Sequence, residues 1–327
     1  MFLMQEGSAG LRPEKWNRKL TKAIMDIAFL LSRLIGEEIT KAAEHTGIID
    51  KIAMLLAEKR VEKELAPYLS AVILLTFVGK QSTAENVSRL LDVIGIKPNN
   101  HLLHFASSLD LYYKVPYVPA LYFDIVMEQE ITPENLVKTV SAMGNKADIS
   151  TAADIIAANE RVVVQNGGES GKGKVSDMQK KLDEGIQKSA SLIAKLMKSE
   201  LDRVMQYKEV AANLDTVLPY VSTVGVLGFT GRDVAIEGAD SFKKSMMALM
   251  ASVGKVPDEK VADYVATKIG FGNFPFAYIP SLYFAISNGI EASIENVTKV
   301  LKAMGLPADS AVAGFICSFY EDNKASV

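Results

Sequence analysis

Apolar positions recur at intervals of three and four residues along most of this chain. Leu20, Ile24, Ile27, Leu31, Leu34 and Ile35 form one stripe; Leu182, Ile186, Ile193, Leu196, Met197, Leu201 and Val204 form another. That period puts apolar side chains on one face of a helix and leaves charged ones on the other. No run alternates over enough residues to predict a strand. The pattern predicts an all-α fold in which two long helical stretches, 13–65 and 175–214, each precede shorter helices.

The shorter helices follow a repeated text. Tyr117-Val118-Pro119-Ala120-Leu121-Tyr122-Phe123 returns as Tyr278-Ile279-Pro280-Ser281-Leu282-Tyr283-Phe284, and a third version begins Tyr68-Leu69-Ser70-Ala71. In all three the first Tyr stands 17 residues before a Glu (Glu85, Glu134, Glu295). The next residue, Asn86, Asn135 or Asn296, stands 9 before a Gly (Gly95, Gly144, Gly305). A degraded fourth copy begins at Pro219-Tyr220, carries a seven-residue expansion around 231–238 and ends at Gly254. Fixed spacings of this kind mark one supersecondary unit used repeatedly. The Tyr is expected to open a first helix. Thr83, Thr132 or Ser293 then caps a second, with the Glu in its first turn against the helix dipole. The Gly supplies a left-handed residue at its end, and a third short helix follows, as over 311–319.

The units, about 67–113, 116–160, 219–270 and 278–322, come as two pairs, each behind one long helical stretch. Between the pairs, Gln165 to Lys174 holds four glycines and no large apolar residue in ten positions, the composition of a flexible linker. The chain therefore reads as a duplication: two homologous helical halves, 1–165 and 175–327, joined by 166–174.

Composition narrows the function classes. A net charge of −3 supplies no basic field for direct nucleic-acid binding. Hydrophobic residues at 49 % and charged ones at 23 % are ordinary globular values. The single cysteine, Cys317, excludes an intrachain disulfide and fits a reducing compartment. The most apolar stretch, Ala23 to Ile35, contains Asp26 and Arg33 and is too short to span a membrane. Met1-Phe2-Leu3-Met4 is too short for a signal-peptide core. A cytoplasmic protein without a membrane partner is expected.

The repeated unit resembles the N-terminal dimerisation domain of the acidic stalk proteins of archaeal and eukaryotic ribosomes. Tyr68, Ala71, Leu74, Leu75, Gly79, Thr83, Glu85, Asn86, Val87, Leu91 and Gly95 stand in that domain's order, and the last copy keeps Tyr278, Leu282, Ser293, Glu295, Asn296, Val297, Leu301 and Gly305. The resemblance implies a helical module that dimerises and clasps a helix of the stalk base protein. It further implies a protein partner, ribosome- or translation-associated. Within this chain it implies intramolecular pseudo-dimers, unit one with unit two and unit three with unit four, whose grooves the long helices occupy. The family's acidic hinge and GTPase-recruiting tail have no counterpart at Glu321-Asp322-Asn323-Lys324-Ala325-Ser326-Val327. Gly270-Phe271-Gly272-Asn273-Phe274 looks like part of that tail but lies between units.

Few residues suggest chemistry. Gly168-Glu169-Ser170-Gly171-Lys172-Gly173-Lys174 has the spacing of a phosphate loop, but Val175 stands where Ser or Thr must hold Mg²⁺. His101 and His104 are three apart on a helix, and two ligands do not make a zinc site. Cys317 is expected as a buried thiol. No catalytic, cofactor or metal set emerges, and an enzyme is not expected. The recurring aromatics are the candidate partner-binding residues: Tyr68, Tyr117, Tyr122, Phe123, Tyr220, Tyr278, Tyr283 and Phe284. The expected function is a non-catalytic protein-interaction scaffold that holds amphipathic helices in apolar grooves. The alternative is a helical protein that binds a small apolar ligand between paired units.

Overall fold

A computed structural model describes residues 13–45, 61–109, 111–166, 177–206, 214–232, 234–267 and 275–327. Among these the fold is all-α, with no strand. Two long helices, α1 (Pro13–His45) and α8 (Asp177–Val204), occupy the centre. Unit one is built from α2 (Val61–Phe77), α3 (Ala84–Val93) and α4 (Asn100–Ser107). Unit two has α5 (Tyr117–Val126), α6 (Pro133–Ala142) and α7 (Ile149–Asn166). Unit three comprises α9 (Leu214–Gly228), a short α10 (Val234–Glu237), α11 (Ala239–Ser252) and α12 (Glu259–Thr267). Unit four has α13 (Tyr278–Ser287), α14 (Ile294–Ala303) and α15 (Ser310–Asn323). The 166–174 linker, the phosphate-loop spacing and the tail-like 270–274 fall wholly or almost wholly outside the described residues. Residues 46–60 of the first long stretch lie outside them too.

Within each unit, short-range chemistry sets the boundaries. Thr83, Thr132 and Ser293 each accept a hydrogen bond from the backbone N–H three residues on, at 3.2, 3.2 and 3.3 Å. The Asn side chains brace the preceding loop: Asn86, Asn135 and Asn296 donate to the carbonyls of Gln81, Glu130 and Glu291 at 2.9–3.0 Å. Gly95, Gly144, Gly254 and Gly305 end their helices at φ of 67 to 78°, the left-handed region that costs an L-residue about 1–2 kcal/mol. The Tyr does not open every unit. It is the first residue of α5 and α13, but α2 and α9 start earlier and run through Pro67 and Pro219. Buried Leu65, Val217 and Leu218 carry the apolar face back past those prolines.

α1 and α8 pack against one another over much of their length. Asn17 at the start of α1 donates to Asp202 near the end of α8 at 3.4 Å, so the two run antiparallel. Buried Ala28, Ala190 and Ala194 stand among the leucines and isoleucines of this contact.

The units do not pair within halves. The first and second helices of unit one, α2 and α3, pack on α13 and α14 of unit four; α5 and α6 of unit two pack on α9 and α11 of unit three. Polar ties follow the same pairing: Asn288 donates to Ser70 at 3.0 Å and Gln129 to the carbonyl of Val253 at 2.9 Å. Arg232 donates to the carbonyl of Met143, at the end of α6. The expectation of pairs one–two and three–four is therefore corrected to one–four and two–three. The apolar face of a unit dictates that it must be covered, not by what. Units one and three also touch. A methyl group on Gly79 would lie 2.2 Å from the carbonyl oxygen of Thr230, and one on Gly231 2.0 Å from that of Val78. Only glycine admits this backbone approach.

Candidate functional site

The same side-chain bond recurs in all four units. The hydroxyls of Tyr68, Tyr117, Tyr220 and Tyr278 accept from the backbone N–H of Asn99, Asp148, Asp258 and Asp309, at 2.7, 2.8, 2.5 and 2.8 Å. The separation is 31 residues in three units and 38 in unit three, which carries the seven-residue expansion. Each of those four residues also caps the third helix of its unit with its own side-chain oxygen. The entrance tyrosines thus tie the first helix of a unit to the start of its third. Burial raises the pKa of Tyr117 and Tyr220, which keeps these hydroxyls protonated. The capping residues were missed in sequence. Their signal was an Asn or Asp four residues after the helix-ending Gly in every copy, preceded by Pro within two residues in three.

The other candidate aromatics line two grooves. In the first, α1 presents Leu20, Ala23, Ile24 and Ile27 between Pro119, Tyr122 and Phe123 of α5 and Ser222 and Gly225 of α9, with Phe229 just beyond its end. In the second, α8 presents Leu182, Gly185, Ile186 and Ser189 between Pro280, Tyr283 and Phe284 of α13 and Ser70, Ile73 and Phe77 of α2. The spacing along the long helix is the same in both, and each groove is made by one unit from either half. Lys19 of α1 locks the first groove. It donates to the carbonyl of Val126 at the end of α5 at 2.8 Å and pairs with Glu128 at 3.1 Å. That contact holds the Glu128 carboxyl below its ordinary pKa.

The two grooves are filled differently. About 370 Å³ of unfilled space remains beside α1 and about 700 Å³ beside α8, part of each continuous with solvent. Among the described residues the lining of the larger is mostly apolar and contains no charged side chain.

The most deeply buried carboxyl among the described residues lies away from both grooves. Asp124 of α5 is 1 % exposed and accepts from Thr139 of α6 at 2.7 Å. Burial pushes its pKa up to about 7, against the opposing pull of the Thr139 hydrogen bond. A single buried carboxyl with one hydroxyl partner makes no catalytic pair. His101 and His104 lie on the exposed side of α4, and Cys317 is buried, its thiol pKa raised by burial. Among the described residues no three His, Cys, Asp or Glu side chains are grouped so as to hold a metal ion. No described helix is long and apolar enough to cross a membrane.

No protein-family model, curated protein or solved structure matches the chain.

Proposed function

We propose that this chain is a duplicated, non-catalytic scaffold of ribosomal-stalk-like units whose paired first helices hold amphipathic helices. The observation that supports this reading is the placement of α1 and α8, each between the first helices of two paired units. A helix in a groove between paired modules is the arrangement that the stalk resemblance implies, here supplied by the chain itself. Tyr122, Phe123, Tyr283 and Phe284 are then helix-contacting residues, while Tyr68, Tyr117, Tyr220 and Tyr278 hold each unit in shape. The partner is a translation-associated protein and the compartment the cytoplasm. The test is a pull-down of the tagged full chain at moderate salt. The expected result is stoichiometric recovery of the stalk base protein or a translation factor, lost on adding competing stalk protein. A chain that elutes alone removes the link to translation.

A second reading, a helical protein that binds a small apolar ligand, is favoured by the unfilled space beside α8.

A further inference from the structure

We infer that the groove beside α8 is a binding site for a small uncharged molecule with an apolar body and one hydroxyl group, an alcohol or a phenol. This rests on the ligand-binding reading above and gives it a chemistry.

The two grooves supply their own control. Counting from the unit tyrosines and along the long helices, equivalent positions can be compared directly. Beside α1, Ala23 and Ile27 project into the groove; beside α8 the same two places are Gly185 and Ser189. At the end of α5 the sequence is Val126-Met127, whereas the matching residues at the end of α13 are Ser287-Asn288. At these four positions the smaller or more polar residue stands beside α8; elsewhere Ser70 has a serine counterpart in Ser222, and Ile73 faces the place of Gly225. Accidental packing loss would remove volume. It would not also place the Ser189 and Ser287 hydroxyls and the Asn288 amide at places that carry Ile27, Val126 and Met127 in the other half.

Those groups have a defined polarity. Ser189 donates to the carbonyl of Gly185 at 2.8 Å, Ser287 to that of Phe284 at 3.1 Å, and Ser70 to that of Pro67 at 2.9 Å. A serine hydroxyl has one proton to give, so each is left as an acceptor facing a gap in which no described side chain is a cation. Asn288 joins two of them, donating to Ser70 at 3.0 Å and approaching Ser287 at 3.5 Å. A ligand must therefore bring a donor, and a charged one would lose its hydration without an opposite charge to meet.

The aromatic wall of the groove differs as well. Tyr283 lines the groove, is 6 % exposed, and its hydroxyl is buried with no hydrogen-bond partner. Its counterpart Tyr122 donates to Asn159 at 2.9 Å. The position matching Asn159 is Tyr320, whose ring stacks edge-on against Tyr283 at 5.9 Å and offers no amide. Tyr320 does not line the groove, and Tyr283 contributes its ring to the wall.

The experiment is titration calorimetry of the full chain with p-cresol and with toluene, its near-isostere without the hydroxyl. Saturable one-to-one binding of p-cresol is expected, about tenfold tighter than toluene, the usual worth of a hydrogen bond to a buried group. Ser189→Ile and Asn288→Met install the residues of the other groove, and each should abolish p-cresol binding while the helical circular-dichroism signal is kept. Two independent variants guard against one that fails to fold. Equal binding of toluene and p-cresol would overturn the hydroxyl class and leave the apolar-ligand reading standing. Binding of neither, or p-cresol binding unchanged in both variants, would overturn the site altogether.

Discussion

Asp124 gives unit two a dependence on pH that its neighbours lack. Seven residues after the entrance Tyr, units one and three carry Leu75 and Leu227 and unit four carries Ala285. Folding holds the Asp124 carboxyl protonated to about pH 7, whereas the unfolded carboxyl ionises near pH 4. The folded pKa is the higher one. The contribution is therefore whole below pH 4 and is lost as pH rises through the window from about 4 to 7, where the unfolded state releases its proton first. The loss amounts to about 4 kcal/mol at most. Urea unfolding at pH 5 and pH 8 should show lower stability at the higher pH, and Asp124→Asn should flatten that difference. The tyrosines make a second residue-scale prediction. Tyr68→Phe strips the Asn99 N–H of its acceptor and should cost about 1–2 kcal/mol. Tyr283→Phe removes a hydroxyl that bonds to nothing and should cost nothing in ligand-free protein. A Tyr283→Phe loss as large as that at Tyr68 would show a partner for that hydroxyl. Much at this scale was legible beforehand: Thr83, Thr132 and Ser293 cap as their spacing predicted. The Tyr–Asn99-type bond was not, because nothing in a tyrosine's own neighbourhood reveals which backbone group 31 residues away will meet its hydroxyl.

At the scale of elements, position within the fold separates glycines that look alike in sequence. Gly95 and Gly79 share a positive φ. A methyl group on Gly95 would meet nothing within 4 Å, whereas on Gly79 it would strike the Thr230 carbonyl. Gly95→Ala should cost about 1 kcal/mol, the backbone penalty alone. Gly79→Ala and Gly231→Ala should each cost more than about 3 kcal/mol, since a backbone cannot yield as a side chain does. Thermal melts of the three variants check the order. The unit-two counterpart of Gly79 is Glu128, at φ 60° and the described non-glycine with positive φ; its carboxylate reaches Lys19 on α1, and that pair accompanies the strained backbone. The helices themselves were readable from the stripes. The gap at Ser189 was readable too, since the α8 stripe skips the place that Ile27 fills in α1. Its meaning needed the groove, because a missing apolar residue matters only opposite an apolar wall.

For the whole molecule, the pairing of units was the part sequence could not carry. Residues 67–160 and 219–322 contain four similar faces, and periodicity cannot say which face meets which. Pairing one with four and two with three makes each half incomplete alone. The fragments 10–165 and 175–327, expressed separately, should aggregate or self-associate, each exposing the faces of α2 and α5 or of α9 and α13. Mixed, they should elute as a one-to-one complex in size-exclusion chromatography with the helicity of the intact chain. Two stable monomers would show that the faces are covered within halves.

The placement of α1 bears on how the chain is made. Its groove has one wall in α5 and the other in α9, and α9 ends at Gly228. During synthesis α1 must wait, apolar face open, until the roughly two hundred residues that end in α9 have followed it. Contacts that span such distances along the chain form slowly, and a nascent face of this kind is a natural substrate for chaperones during that interval.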